Sequence, residues 1–258
     1  MKKIFVTTII ILSACTMLNA QQAGVAVFAA PAFTKVKYND FNTFAESYNS
    51  VNGYSLKGFS KMSVGFLTGA DLFIGPMYFG LYYNKLNESA DPVKLNDISE
   101  RQFDLKLRSW WANIGANIGR GPISFSPYVV CGMNYLDLDA YINYYDKYKS
   151  YGNYKLDGTY SGTNMLFGFG LKANAFYKIF FASLGFSKMY SVFPTASIHD
   201  FGSKGDPVYG GGYTDIATDW ATYTSGNSWD YTGKYVSSAN KQFIIQLSAG
   251  IFIGRTNN

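Results

Sequence analysis

Cysteine, histidine and long apolar runs are all scarce in this chain. Among 258 residues there are two cysteines, Cys15 and Cys131, and one histidine, His199. If the N-terminal segment is removed, Cys131 stands alone and no intramolecular disulfide can form. That excludes the small disulfide-stapled secreted folds. One histidine and one cysteine cannot supply a zinc ligand set, so no metal and no cofactor is expected. Charged residues are 15% of the chain and the formal net charge is +5, with no basic run to track a phosphate backbone. A nucleic-acid partner is therefore not expected. Beyond the N-terminus no apolar stretch approaches the roughly 20 residues that a membrane-spanning helix needs.

What the chain has in quantity is aromatic and small: 22 Tyr, 21 Phe and 26 Gly. It opens Met-Lys-Lys, runs almost without polarity from Ile4 to Leu18, and continues Asn19-Ala20-Gln21-Gln22. A basic start, an apolar centre and a small residue at a junction read as a secretory signal over 1–20, cut after Ala20. Leu12-Ser13-Ala14-Cys15 also matches a lipobox, which would make Cys15 a lipidated N-terminus. Either reading exports the protein. Loss of Lys2 and Lys3 lowers the net charge from +5 to +3.

The rest, 21–258, reads as one domain of eight strands. Met165 to Tyr177 shows the pattern best. Met165, Phe167, Phe169, Leu171, Ala173, Ala175 and Tyr177 alternate with Gly168, Gly170, Lys172 and Asn174. A period of two with one greasy and one small or polar face predicts a strand between two unlike solvents. Similar alternation predicts strands over Phe59–Ile74, Met77–Leu86, Phe103–Ile118, Ile123–Tyr141, Ile179–Tyr190 and Lys241–Gly254. Gly24–Val36, apolar on both faces, is added as the first. Along Phe103–Ile118 the apolar parity switches from Phe103, Leu105 and Leu107 to Trp110, Ala112 and Ile114, which suggests a bulge near Ser109.

Connections after strands one, three, five and seven are long and polar. Those after two, four and six are tight, at Gly75-Pro76, Gly119-Arg120-Gly121-Pro122 and Tyr177-Lys178. Short turns on one side, long loops on the other and an even strand count fit a transmembrane barrel. The more uniformly apolar face would then meet lipid, whereas a soluble barrel would turn a polar face outward. A barrel of eight strands is only wide enough for side chains to fill it. Gly65, Gly69, Gly80, Gly132, Gly168, Gly170, Gly185 and Gly250 fall on the inner face. They would make room for Lys61, Arg108, Lys172, Tyr82 and Tyr128, with Asp71 and Asp104 as counter-charges. A packed ionic plug is expected rather than a pore.

Three loop features carry functional readings. His199, in Ser197-Ile198-His199-Asp200, could serve a lipid-modifying enzyme together with a serine and an acid. The plainer reading is a solvated loop histidine. Phe41, Phe44 and Tyr48, behind Asp40 as N-cap and before Gly53, suit a short amphipathic helix. It would pack over the barrel mouth, rest at the interface or dock a partner. Tyr141, Tyr144, Tyr145, Tyr148, Tyr151 and Tyr154 read as a twisted hairpin above the membrane with cross-strand Tyr pairs, or as an aromatic platform for sugars or proteins. Gly210-Gly211-Gly212 lacks a following Lys-Ser/Thr and is no phosphate cradle. Asp215, Asp219 and Asp230 lack calcium-loop spacing.

With the signal, the Gly75-Pro76 and Gly119-to-Pro122 turns and aromatic-x-Gly-x strands such as Phe167-Gly168-Phe169-Gly170, the chain resembles the small outer-membrane β-barrel superfamily. The match is to the OmpA/OmpX-like eight-stranded type, across 21–258. The tail departs from that pattern. Many such barrels end on an aromatic residue read by the assembly machinery, whereas this one ends Ile253-Gly254-Arg255-Thr256-Asn257-Asn258, with Phe252 nearby. No room is expected for a periplasmic peptidoglycan-binding domain. The resemblance implies a porin-like envelope protein, monomeric in the outer-membrane bilayer and without catalytic residues. Its loops would serve adhesion, protein or glycan partners, or envelope integrity. The alternatives are a lipid-modifying enzyme using His199, and a small channel or subunit of a secretion or motility assembly.

Overall fold

Alternation at period two leaves the chain few choices other than strands, and strands account for nearly all of the regular structure. The computed structural model describes residues 22–38, 55–59, 61–94, 99–119, 121–144, 158–191 and 240–256, with shorter stretches at 41–42, 45–46, 49, 97, 149–150, 199–200 and 214–215. The elements are β1 (Gln22–Lys37), β2 (Met62–Ile74), β3 (Met77–Ser89), β4 (Val93–Lys94), β5 (Ser99–Ala116) and β6 (Ile123–Tyr144). They continue as β7 (Lys149–Ser150), β8 (Gly158–Tyr177), β9 (Phe180–Ser191), β10 (His199–Asp200), β11 (Thr214–Asp215) and β12 (Lys241–Thr256).

Eight of these form an antiparallel ring in the order β1, β2, β3, β5, β6, β8, β9, β12. β12 pairs back onto β1 from Gln22↔Thr256 to Lys37↔Lys241. The barrel is therefore closed, and none of its ladders is left as an edge. The candidate signal at 1–20 lies outside the described residues.

The tight turns close the barrel at one end. Ile74 pairs with Met77 across Gly75-Pro76, with φ +56° at Gly75. Positive φ at the first turn position is what a two-residue hairpin of type II′ needs, and glycine adopts it without steric cost. At the third turn Lys178 takes φ +54° in the same first position, an uncommon conformation for a residue with a side chain.

The outward face is apolar over a continuous belt. Val64, Phe66, Leu81, Trp110, Ile114, Phe169, Leu247 and Ile251 are each more than half exposed. Their inward neighbours Leu67, Asp71, Asn84, Ser109, Lys172, Gln246 and Ser248 are fully buried. β1 is apolar on both faces in sequence, and its inner face mixes small residues with Phe28 and Val36. It turns Val25, Val27 and Phe33 outward and small Ala26, Ala30 and Ala32 inward.

The ladder runs unbroken through Ser109, from Met77↔Ala116 to Ser89↔Asp104 on one side and Ser99↔Tyr144 to Gly115↔Tyr128 on the other. There is no bulge. Trp110 and Ile114 face outward in the belt, while Phe103, Leu105 and Leu107 face inward above it, where Lys106 and Arg108 take the outer face. The parity of the apolar residues switches because the solvent switches, not the backbone.

Above the belt β5, β6 and β8 outrun their neighbours. β6 has 22 residues and β9 only 12. Where β9 stops at Ser191, β10 takes over the edge of β8, and β11 pairs with β10. β4 pairs with β5 and β7 with β6. The ring thus continues upward on one side as a sheet wall.

A side chain has no place at Gly170, where an added Cβ would meet the Tyr128 ring and the carbonyl oxygen of Phe186. Gly170→Val should lower the folded fraction in detergent, read as the unheated gel-shifted band across a urea series. Leu81→Val, on the outer face, should leave the midpoint nearly unchanged.

Candidate functional site: the sealed barrel and its mouth

Inward residues stack in rows because paired residues on adjacent strands share a face. The row Tyr82–Trp111–Gly132–Leu166 lies below Asn84–Ser109–Asn134–Asn164, and Leu86–Leu107–Leu136 lies above both. Lys172, on β8, and Asp71, on β2, stand on strands four places apart around the ring of eight. Their side chains meet across its diameter.

The Lys172 ammonium donates to Asp71 Oδ2 and, at 3.2 Å, to the Tyr82 hydroxyl. Asp71 Oδ1 accepts from the hydroxyls of Tyr82 at 2.6 Å and Tyr78 at 3.0 Å, and those hydroxyls also touch one another. The ammonium sits 4.4 Å from the Phe28 ring centroid and 5.1 Å from that of Phe181. Both ions are fully buried. A buried charge costs several kcal/mol alone, and here each one has a counter-charge, hydrogen bonds and aromatic faces around it. Gly80 makes the room, since a Cβ there would meet the Tyr82 ring and lie 2.9 Å from Asp71 Oδ1.

Sequence reasoning identified Lys172, Asp71 and Tyr82 but passed over Tyr78. Its inward parity with Gly80 and Tyr82 was the available signal. Tyr128 also points inward, its hydroxyl 2.8 Å from that of Ser187.

Below the ion pair an aromatic floor closes the turn end. Phe176 packs against Phe252 at 4.8 Å, Phe73 at 5.2 Å and Phe181 at 5.4 Å between ring centroids. Phe252, near the C-terminus, is thus an inward-facing member of the floor. At the other end Leu86, Phe103, Leu105, Leu107, Leu136 and Leu138 form a second apolar core with Val36, Tyr38 and Phe59. The first loop completes it. Phe41, Asn42, Ala45, Glu46 and Asn49 have helical backbone, and Phe41 packs 4.8 Å from Phe59 and 5.6 Å from Phe103. Phe44, Tyr48, Asp40 and Gly53 lie outside the described residues. Floor, ion pair, polar row and roof succeed one another along the interior.

Three charges expected inside are elsewhere. Lys61 shares the inward parity but sits at the rim, where it and Lys57 bind Asp91 at 2.6 and 3.4 Å. The hydrogen bonds from Lys61 and Lys57 hold the Asp91 carboxyl below the usual carboxylate range. Arg108 is on the outer face, paired with Asp137, and Lys106 beside it binds Asp139 at 2.7 Å. Asp104 shares that face and accepts from the Tyr141 hydroxyl at 2.6 Å, 37 residues away in sequence. Hydration explains all three: at the rim, and on the outer face above the belt, a charge meets water and needs no burial.

His199 is placed by backbone register alone, opposite Ser161 of β8 on one side and Asp215 of β11 on the other. Of the tyrosine-rich stretch, β6 carries Tyr141 and Tyr144, and the strands above the belt pair as far as Ala140↔Gly158. Tyr145, Tyr148, Tyr151 and Tyr154 lie outside the described residues, as do Gly210 to Gly212, Asp219 and Asp230. Among the described residues no group of three or more His, Cys, Asp or Glu could hold a metal ion.

A closed ring of eight strands, apolar outside and packed inside, is the architecture of a small outer-membrane β-barrel. Among the solved structures similar to it are two barrels. One is Ail, the attachment invasion locus protein of Yersinia pestis, crystallised with the heparin analogue sucrose octasulfate (14% identity, 90% of this chain and 100% of that one, TM-score 0.46). The other is Neisserial surface protein A (12% identity, 90% and 97%, TM-score 0.46). No protein-family model and no curated protein sequence matches the chain. Neither structural likeness transfers a ligand or a residue role.

Because Lys172 and Asp71 depend on one another, single and double changes should differ. Lys172→Met alone should destabilise the barrel by about 3–5 kcal/mol, by leaving a buried carboxylate uncompensated. Adding Asp71→Asn should recover a large part of the loss. Urea unfolding of the barrel in lipid vesicles, followed by the gel shift, measures both.

Proposed function

We propose that this chain is an exported, non-enzymatic outer-membrane protein that displays an extracellular sheet for adhesion or for protein or glycan partners. The observation that carries the reading is the contrast between barrel and wall. The belt and the packed interior leave the barrel nothing to do but anchor. The wall of β5, β6, β8, β10 and β11 rises beyond it with Lys106, Arg108, Asp137 and Tyr141 on its outer face. Interaction surfaces are commonly rich in Tyr and Arg, and the sequence from the end of β6 toward β8 carries six tyrosines between Tyr141 and Tyr154. Removal of residues 1–20 with the cut after Ala20 belongs to this reading, as does a monomeric barrel.

A second reading has one observation in its favour. Register puts Ser161, His199 and Asp215 at adjacent places across β8, β10 and β11. Nucleophile, base and acid in that order are the residue types of an acyl-transfer site. A channel is disfavoured by the floor, ion pair and roof along the interior.

Four measurements separate these readings. The mature protein should shift between unheated and boiled gel samples and should give no steady conductance in planar bilayers. A water-soluble mature protein with no shift would sink the barrel reading. Replacing residues 145–157 with a Gly-Ser linker should abolish attachment of expressing cells to protein- or glycan-coated surfaces while the gel shift persists. His199→Ala should leave envelope lipid composition unchanged, and a change would favour the lipid-modifying enzyme.

A further inference from the structure

On β1, β12 and β9 the outer face passes from apolar to basic within one step of the ladder. The outward row Phe33–Ile245–Phe186 belongs to the belt. The next outward row toward the mouth is Lys35–Phe243–Lys188, and the one after it is Lys37–Lys241–Tyr190. Four of six adjacent outward positions are therefore lysine, all exposed, and the remaining two are aromatic.

Among the described residues, no carboxylate shares this sector of the outer face on β1, β12 or β9, nor on the flanking strands β2 and β8. Lys188 makes a cation–π contact, its ammonium 5.6 Å from the Tyr190 ring centroid. The β5–β6 sector is built differently, since Lys106 and Arg108 each have an aspartate.

Like charges directly opposite one another destabilise a ladder, and Lys37↔Lys241 is such a pair. With strands about 4.8 Å apart, the four ammonium groups bracket a patch roughly 10 Å across. Such a patch at the boundary of an apolar belt suits a ligand whose anionic part lies at the headgroup level and whose apolar part lies below. Lysine acts as a point charge toward phosphate, and Tyr and Phe are favoured at that depth.

We propose that Lys35, Lys37, Lys188 and Lys241 form a binding site for the phosphate groups of a lipid in the outward-facing leaflet. The acyl chains of that lipid lie along Phe33, Ile245 and Phe186. The site rests on the outer-membrane reading above but is a separate claim. It assigns to one sector of the barrel a specific lipid contact that the matched β5–β6 sector lacks.

The test uses the mature protein in phosphatidylcholine nanodiscs with a minor fraction of a bis-phosphorylated acylated glucosamine disaccharide lipid, read by native mass spectrometry. The wild-type barrel should retain that lipid. The K35Q/K37Q/K188Q/K241Q variant should retain on the order of tenfold less or lower, since each lysine near a charged surface contributes. R108Q should retain as much as wild type.

Equal retention by the quadruple variant would overturn the proposal. So would equally tight binding of the deacylated bis-phosphorylated disaccharide in solution, which would mark a soluble-polyanion site. If the quadruple variant loses its gel shift, K188Q/K241Q replaces it, with reduced retention again required. Failure of the wild-type protein to enter the discs would overturn the membrane reading, whereas entry without lipid retention overturns this proposal alone.

Discussion

Hydrocarbon offers no hydrogen-bond partner, so every peptide group inside it must find one within the chain. That constraint fixes the closure of β12 on β1, and most of the remaining structure follows. Closure with eight strands yields an interior narrow enough for side chains to fill. The alternation that keeps one face greasy for lipid sends the other inward, where polar groups must satisfy one another. The Asp71–Lys172 pair is a consequence of this geometry. Each ion has water on no side, and the partner available to each lies across the diameter, with Tyr78 and Tyr82 as further donors.

The barrel also changes character along its axis. In the belt it is apolar outside, and within it an aromatic floor lies beneath the ion pair and the polar row. Above the belt it resembles an ordinary water-soluble sheet protein, with a leucine- and phenylalanine-rich core inside and ion pairs outside. The first loop belongs to that upper part, because Phe41 completes the core beneath it. The upper core therefore has two roles. It closes the mouth, and it gives β5, β6 and β8 a packed base from which to extend.

Much of this was legible in the sequence because a period of two is a strong signal and tight turns carry glycine or proline. Strand count, the sides of the loops, the lipid face and the inward glycines all follow from those two signals. What could not be read was depth. Parity assigns Lys61 to the same face as Gly65, but whether that position lies in the lumen or at the rim depends on where the hydrocarbon ends. The same gap turned the parity change at Ser109 into an expected bulge, when the ladder there is regular. Arg108 and Asp104 were misplaced for the same reason. Asp71 and Asp104 were the two counter-charges on offer, and nothing local says that Lys172 meets Asp71, 101 residues away in sequence. The register that brings Ser161, His199 and Asp215 alongside one another is likewise a matter of long-range pairing that no local pattern encodes.

The unbroken ladders have one more consequence. From Ile123 to Ala140, β6 keeps a single register with β8, and from Tyr128 to Tyr144 a single register with β5. The strands behave as a reading frame of two. One residue inserted between Val129 and Met133 would exchange the faces of everything beyond it, pushing Asn134 into lipid and Tyr135 into the lumen. With no bulge to absorb the slip, changes of length are confined to the loops. The wall and its hairpin can diversify in length and composition while the anchor beneath them is held to its frame.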